Sequence, residues 1–348
     1  MPRGLTNTHR SGSGGGGVIH AGVRTTSSYP AGVDAARGIT FPPAYTVRAA
    51  RPGDAPAVLA VIHAGELAAA GEVLIELSDI EADWAAPGLT LETDVIVVET
   101  AGEVVAWAQV ELQRAHADVH PDHRSRGVGL ALVEWTERWA LDRADASPGN
   151  DVVAVGQTLL RGQPGIDELF EGCGYSPTYD SWVLRLPVGA EIDDPGPPPG
   201  VRIRPYEPGE EQAVYRVIED AFNEWPGRHP RTFDEWRSGS LDHPDFRPEL
   251  LFVAARDEEV IGACVGMDYP SEGWADQIAV RPTERGQGLA RAMLAELFRT
   301  FRSRGQHRLG LNTDSRTGAL GLYLELGMEV EHTFTHWRRV LRATDETA

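Results

Sequence analysis

One turn sequence occurs twice in this chain, and it limits the folds that the chain can adopt. The first copy runs from Val119 to Gly129 and the second from Val280 to Ala290, each residue lying 161 positions after its counterpart, as 280 lies after 119. Both copies follow a predicted strand and lead into an apolar pattern typical of a helix. Backbone N–H groups at such a helix start form an anion site, and glycine lets a pyrophosphate approach the backbone closely. Each copy therefore predicts a strand–turn–helix unit that can hold a phosphate.

The elements around the two turns follow the same order. Each turn is preceded by a hairpin and a strand, and is followed by a helix, a strand, a short helix and a final strand. The final strands are predicted at residues 181–186 and 334–341. Since the chain of 348 residues is long enough for two cores, the repeated order indicates a duplicated domain.

Composition shifts predict the domain boundaries. Residues 1–44 contain a Gly/Ser-rich run without periodicity, which predicts a disordered tail. Residues 45–190 and 201–348 form the two predicted domains, and the Pro/Gly-rich residues 191–200 predict a stiff linker.

Composition also restricts the partners and the compartment. A formal charge of −20 disfavours nucleic acid and suits a cationic partner. The two cysteines give neither a disulfide framework nor a metal-ligand spacing, and no apolar stretch is long enough to span a membrane. We therefore expect a cytoplasmic protein without a metal, as a monomer or a homodimer.

Both halves resemble the GCN5-related N-acetyltransferases, the GNAT family. Arg285-Gly-Gln-Gly-Leu-Ala290 fits the family signature Arg/Gln-x-x-Gly-x-Gly/Ala, as does Arg124-Ser-Arg-Gly-Val-Gly129, and Tyr323 and Gly327 lie in a second family element. The resemblance implies a layered α/β (α+β) fold with two tandem GNAT domains, each a mixed, mostly antiparallel central sheet flanked by helices. It also implies acetyl-CoA as the acyl donor.

The resemblance assigns cofactor contacts by position. In the C-terminal half, the backbone of the strand and the turn would hold the pantetheine and the pyrophosphate, and a later Asn would contact the amide arm. These residues are Ile278, Val280, Arg285, Gly286, Gln287, Gly288, Leu289, Ala290 and Asn312. The corresponding N-terminal residues are Val119, Arg124, Ser125, Arg126, Gly127, Val128 and Gly129, and the resemblance leaves open whether they also bind CoA. The side chain of Arg285 could equally be a solvated surface arginine, and that of Asn312 could cap a turn.

Two side chains of the C-terminal half are candidates for the chemistry. By resemblance, Tyr323 occupies the position of the general acid that protonates the departing thiolate; it could instead simply pack on the inner face of its helix. Alternation along the preceding strand places Asp276 on one face with Trp274, Ile278 and Val280. A carboxylate among apolar neighbours could have a raised pKa suited to a general base, or it could be a solvent-facing residue.

Asp268 and Glu272 are the fallback carboxylates of the C-terminal half. In the N-terminal half, Ala115 aligns with Asp276 and Phe170 with Tyr323, so neither a base nor an acid is present there. Catalysis is therefore predicted in the C-terminal half.

The resulting functional prediction is acetyl-CoA-dependent N-acetylation of a primary amine on a small molecule. A distant resemblance to mycothiol synthases, which acetylate a cysteinyl amine, suggests a second acceptor, although Trp274-Ala275-Asp276 replaces the glutamate-bearing strand of those enzymes. The acceptor could also be a protein or peptide amine. A non-catalytic acyl-CoA-binding sensor is the competing function from a different class.

Overall fold

The computed structural model describes residues 35–343 except 87, 112, 147–151, 194–195, 226–227 and 229. Most of the predicted N-terminal tail lies outside the described residues. Residues 35–44, which the sequence pattern places in the tail, pack instead against the N-terminal folded part of the chain. Ile39 and Phe41 contact its core, and Trp135 donates its indole N–H to the carbonyl of Ala35 at 2.8 Å. Folded structure therefore begins before Tyr45.

The described chain forms two compact units. The N-terminal unit comprises residues 35–180 and 334–343, and the C-terminal unit comprises Ser181–Thr333. Each unit has a central sheet flanked by helices, which confirms the predicted fold class. No helix in the described ranges is both long and apolar enough to cross a membrane.

The N-terminal unit has six strands in the order β1-β2-β3-β4-β5-β12, and only β4 and β5 are parallel. Its strands are Thr46–Ala49 (β1), Val95–Thr100 (β2), Glu103–Glu111 (β3), Arg114–Val119 (β4), Val152–Leu160 (β5) and part of Glu329–Ala343 (β12). Its helices are Ala55–Ala70 (α1), Leu77–Trp84 (α2), Leu91–Asp94 (α3), Val128–Ala146 (α4) and Ile166–Gly172 (α5).

The C-terminal unit repeats this arrangement in the order β7-β8-β9-β10-β11-β6, with β10 and β11 as the parallel pair. Its strands are part of Ser176–Leu186 (β6), then Val201–Pro205 (β7), Phe246–Arg256 (β8), Glu259–Tyr269 (β9), Glu272–Val280 (β10) and Leu309–Asp314 (β11). Its helices are Glu211–Phe222 (α6), Phe233–Gly239 (α7), Leu289–Ser303 (α8) and Leu320–Glu325 (α9).

The last strand of each unit differs from the sequence prediction. Residues 181–186 pair with β11 in the C-terminal unit, and residues 334–343 pair with β5 in the N-terminal unit. The order of elements along the chain assigns each of these strands to the other sheet. Pairing between distant strands depends on side-chain packing across the sheet, which element order does not specify.

Helix α8 covers one face of the C-terminal sheet. The six apolar residues that predict this helix are all buried, namely Leu289, Met293, Leu294, Leu297, Phe298 and Phe301. They pack on glycines of the sheet, since a Cβ on Gly273 would lie 2.5–2.8 Å from the ring of Phe301. The close packing of α8 fixes the position of its first turn relative to the end of β10.

Candidate active site

The turn between β10 and α8 has the backbone that an anion site requires. After a 3₁₀ turn at Pro282–Glu284, Gly286 and Gly288 adopt positive φ values of 74° and 81°. Among the described residues, apart from their chain neighbours, no heavy atom lies within 4 Å of the position that a Cβ would take on either glycine. The first helical hydrogen bond runs from the N–H of Ala292 to the carbonyl of Gly288, so the preceding N–H groups have no helical acceptor. The turn therefore offers open backbone donors.

The side chain of Arg285 supports this turn. Its Nε donates to the carbonyl of Val280 at 3.0 Å, and both terminal nitrogens contact the carboxylate of Glu224 at 2.8 Å. This bidentate ion pair with Glu224 balances the positive charge of Arg285 within the protein. Arg285 therefore braces the turn, and the backbone N–H groups are the candidate anion donors.

The parallel ladder between β10 and β11 ends early. Its three residue pairs finish at Ala275 and Leu311, while β10 continues to Val280 along β9. The N–H of Arg281 donates to β9, and because backbone groups alternate along a strand, those of Ile278 and Val280 point to the opposite edge. These are the two residues predicted to bind pantetheine, and their edge of β10 has no ladder partner among the described residues.

Asp276 is the extra residue of a β-bulge in β10. Ala275 lies opposite Gly266 of β9, and Gln277 lies opposite Val265, so that two residues of β10 span one step of β9. A bulge of this kind bends the strand and changes the direction of a side chain.

The bulge reverses the alternation of faces along β10. Gly266 and Gly262 both face α8, because a Cβ on either would lie within 3.0 Å of an α8 side chain. Their partners on β10 are Ala275 and Val280, which therefore also face α8 although they are an odd number of residues apart.

The prediction that Trp274, Asp276, Ile278 and Val280 share one face is therefore wrong. Trp274 follows the alternation before the bulge and lies on the face opposite α8, where its ring contacts the guanidinium of Arg185. Ile278 and Val280 follow the alternation after the bulge and contact the core under α8. A pattern of period two cannot reveal an inserted residue.

The carboxylate of Asp276 belongs to the face covered by α6 and α7. It accepts a hydrogen bond from Nε2 of Gln277 at 2.9 Å, and the same amide contacts Trp236 of α7. Burial raises the pKa of Asp276, whereas the hydrogen bond from Gln277 and the nearby charges of Arg231 and His243 oppose the shift. A carboxylate with a raised pKa is a stronger base than an ordinary aspartate.

Tyr323 lies on the other face of the sheet. It projects from α9 into the core under α8 and is 5% exposed. Burial raises the pKa of the phenol far above its usual range, and a hydrogen bond with Thr313 opposes this shift only in part. The phenol therefore remains protonated at neutral pH and can donate a proton.

Asn312 lies one residue beyond the last β10–β11 pair, where the two strands separate. The turn that follows is held by other residues: Asp314 accepts from the N–H of Arg316 at 2.9 Å, and Thr317 accepts from the N–H of Ala319 at 3.1 Å. Capping by Asn312 is thus not needed to form this turn.

The fallback carboxylates are committed to ion pairs. Asp268 contacts Arg304 at 2.8 Å, and Glu272, which is fully buried, contacts Arg185 at 2.7 Å. Their paired state makes both weaker candidates for a base than Asp276.

Comparison with known proteins identifies the family. The sequence model described as the Acetyltransferase (GNAT) family matches residues 212–328. The crystal structure of a GCN5-related N-acetyltransferase from Sphaerobacter thermophilus is 32% identical, covers 88% of this chain and 99% of its own, and superposes with a TM-score of 0.76. This chain belongs to the GCN5-related N-acetyltransferase family.

Further similar proteins agree with this GNAT assignment. Mycothiol acetyltransferases of Saccharopolyspora erythraea and Thermobispora bispora are 29% and 27% identical over 73% and 82% of this chain, and over 86% and 94% of their own lengths. A tandem GNAT protein from the clavulanic acid biosynthesis pathway shares the fold, with a TM-score of 0.58 at 15% identity over 85% of this chain and 98% of that protein. The predicted acyltransferase class and tandem arrangement are confirmed.

The N-terminal GNAT unit repeats the turn but covers it. Ser125 and Gly127 have positive φ values of 57° and 86°, close to those of their C-terminal counterparts. In contrast to the open C-terminal turn, Cγ of Pro42 lies 3.3 Å from the position of a Cβ on Gly127. Nε of Arg124 again donates to the strand-end carbonyl, at 3.3 Å from Val119.

The N-terminal GNAT unit also lacks counterparts of the two candidate side chains, Asp276 and Tyr323. Strand β4 pairs with β3 without a bulge, so Ala115 corresponds to Ala275, and Asp276 has no counterpart at all. This corrects the sequence alignment of Ala115 with Asp276. Phe170 is buried against Tyr175 and Trp337, with ring centroids 4.9 and 5.8 Å away.

The two turns offer a matched test of CoA binding. Both Gly127→Glu and Gly288→Glu place a side chain at a positive φ, and both add a carboxylate at a helix start. We expect Gly288→Glu to abolish the rise in melting temperature that acetyl-CoA causes, because the carboxylate repels the pyrophosphate from the open turn. Gly127→Glu should retain that rise, and its loss in a folded Gly127→Glu protein would contradict the assignment to the C-terminal turn.

Proposed function

We propose that this protein transfers an acetyl group from acetyl-CoA to a primary amine of a small molecule, and that the C-terminal unit performs the reaction. The backbone N–H groups of Gly286–Ala290 would bind the pyrophosphate, and the unpaired edge at Ile278 and Val280 would bind the pantetheine. Asn312 would contact the amide arm. The open space around the two glycines of the turn supports this assignment.

The reaction needs two proton transfers. Asp276, directly or through one water, would take a proton from the amine, whose nitrogen then attacks the thioester carbonyl to form the C–N bond. As the C–S bond breaks, Tyr323 would give its proton to the departing thiolate and would regain one from solvent. Each transfer by a positioned side chain contributes about 10²–10⁴-fold to a rate.

The observation that carries the proposal is the placement of the acid and the base. Asp276 and Tyr323 lie on opposite faces of the sheet, beside the gap where β10 and β11 separate. A thioester held in that gap could meet the amine from one face and its proton donor from the other. The N-terminal unit has a similar gap but no counterpart of Asp276 or Tyr323 at the corresponding positions, which supports a single catalytic unit.

The net charge and the similar proteins both support a small-molecule amine as the acceptor. The formal charge of −20 favours a cationic amine, and the relatives named mycothiol acetyltransferase favour a small molecule. A cysteinyl amine of a mycothiol precursor is therefore the second candidate.

An amine panel with detection of released CoA thiol tests the function. The panel should contain polyamines, aminoglycosides, amino sugars, a cysteinyl amino sugar and a lysine-containing peptide. Acceleration of CoA release by one small amine, with the acetylated product seen by mass spectrometry, is the expected result. Turnover of the peptide alone would indicate a protein acetyltransferase, and binding of acetyl-CoA without turnover of any amine would favour a sensor.

Tyr323→Phe tests the general acid. We expect kcat to fall by about 10²-fold or more while the Kd for acetyl-CoA stays within about twofold, because only proton donation is lost. Tyr175→Phe removes a buried phenol from the N-terminal unit and serves as the matched control. Equal values of kcat for Tyr323→Phe and the parent protein would exclude Tyr323 as the acid.

Asp276→Asn tests the general base through the pH profile. Since the base must be deprotonated, kcat/KM of the parent should rise with pH through the pKa of Asp276, above the usual aspartate value of about 3.9. The raised pKa places this rise on the alkaline side of that value. In Asp276→Asn the rise should disappear and the plateau should fall by about 10²-fold. If Asp276→Asn still shows the rise of kcat/KM with pH, another group is responsible for the titration.

A further inference from the structure

Gln277 makes three hydrogen bonds at the bulge. Its Oε1 accepts from the indole N–H of Trp236 at 2.9 Å, and its Nε2 donates to Oγ of Ser240 and to Oδ2 of Asp276, each at 2.9 Å. Trp236 and Ser240 are fully buried and Gln277 is 6% exposed. Water therefore has little access to compete for these bonds.

The orientation of the Gln277 amide is determined by its partners. An indole N–H can only donate, so it must contact the amide oxygen. The amide NH₂ group then faces Ser240 and Asp276, and both of its hydrogens are used. If the amide were reversed, its oxygen would face the Asp276 carboxylate and its NH₂ would face the indole N–H, leaving two unfavourable contacts. Helix α7 thus sets which end of the amide reaches the carboxylate.

Asp276 needs such an anchor because of its place in the strand. As the extra residue of the bulge, it has no partner on β9, and the β10–β11 ladder ends one residue before it. Its backbone is less restrained than that of a paired strand residue. The only hydrogen bond to its carboxylate from a described side chain comes from Gln277.

The two other side chains that act on Asp276 have partners of their own. Arg231, on the segment before α7, contacts Glu219 of α6 at 3.0 Å, and His243, on the segment after α7, lies 3.9 Å from Asp245. These two side chains act on Asp276 through space and without a direct hydrogen bond. Gln277 is therefore the group that fixes the direction of the carboxylate.

We propose that Gln277 is a positioning residue for Asp276, held in register by Trp236 and Ser240, and that α7 thereby orients the base toward the amine. This inference rests on the proposed function of Asp276. It makes the buried Trp236–Gln277–Asp276 chain part of the acceptor site, although neither Trp236 nor Gln277 would touch the substrate.

The N-terminal unit contains a similar pair without a carboxylate. The indole of Trp84 in α2 donates to Oε1 of Gln109 at 3.0 Å, and both side chains are buried. Gln109 lies on β3, in a sheet whose β4 has no bulge. This pair holds a helix to a sheet. It therefore serves as a control for the contribution of a buried Trp–Gln hydrogen bond to stability alone.

Gln277→Leu tests the proposal, because it keeps the side-chain size and removes the donor. Loss of a hydrogen bond to a carboxylate raises its pKa, so the acidic limb of kcat/KM for the amine should move to higher pH by about one unit. The plateau of kcat should fall by about tenfold, from the less well oriented base. The Kd for acetyl-CoA should not change, since no cofactor contact is altered.

Trp236→Phe is a second variant, which keeps Gln277 but removes the hydrogen bond that orients its amide. It should also move the acidic limb of the kcat/KM profile to higher pH. Trp84→Phe, which removes the equivalent bond in the N-terminal unit, should lower the melting temperature to a similar degree and leave the limb unchanged. The proposal is overturned if the acidic limb stays at the same pH in folded Gln277→Leu and Trp236→Phe. It is also overturned if Trp84→Phe shifts the limb by an equal amount.

A measurement without turnover separates this inference from the proposed function. In protein labelled with carboxyl-¹³C aspartate, the Asp276 resonance is identified by its absence in Asp276→Asn. Its titration midpoint should be higher in Gln277→Leu than in the parent, and the same in Trp84→Phe. This midpoint decides the role of Gln277 even if no amine in the panel is acetylated, whereas an unchanged midpoint in Gln277→Leu refutes it.

Discussion

The early end of the β10–β11 ladder is the constraint on which the candidate site depends. Two parallel strands that pair for three residues and then separate leave backbone groups on one edge without a ladder partner. In a buried sheet such groups are costly unless another partner supplies their hydrogen bonds. A pantetheine amide has the donors and acceptors to do so. The separation of the strands therefore supports the proposed binding of a cofactor arm at this edge.

The bulge in β10 adds chemistry to this opening. Without it, β10 would carry no extra residue after Ala275, as β4 of the N-terminal unit carries none after Ala115. With it, one extra residue turns toward α7 while the rest of the strand returns to its pairing. The two units therefore share the backbone of the turn, but the N-terminal unit lacks the inserted strand residue and has Phe170 at the position of Tyr323.

Much of this arrangement could be predicted from the sequence. Glycine spacing and the apolar positions of α8 located the turn, because both depend on local backbone geometry. The direction of Asp276, the bracing of Arg285 by Glu224 and the cover of Pro42 over Gly127 could not be predicted, since each depends on residues far apart in the chain. The short helix Leu77–Trp84 also escapes prediction, because eight residues are too few to show a clear periodicity.

The origin of the sixth strand in each sheet has a consequence for the chain as a duplicated protein. Residues 181–186 complete the C-terminal sheet, yet they precede the Pro/Gly-rich segment, and residues 334–343 complete the N-terminal sheet from the far end of the sequence. A protease that cut between 191 and 200 would produce two fragments, each carrying a strand that belongs to the other's sheet. Although the sequence repeats, neither half is a self-sufficient copy, because each completes its sheet with a strand from the other half of the sequence.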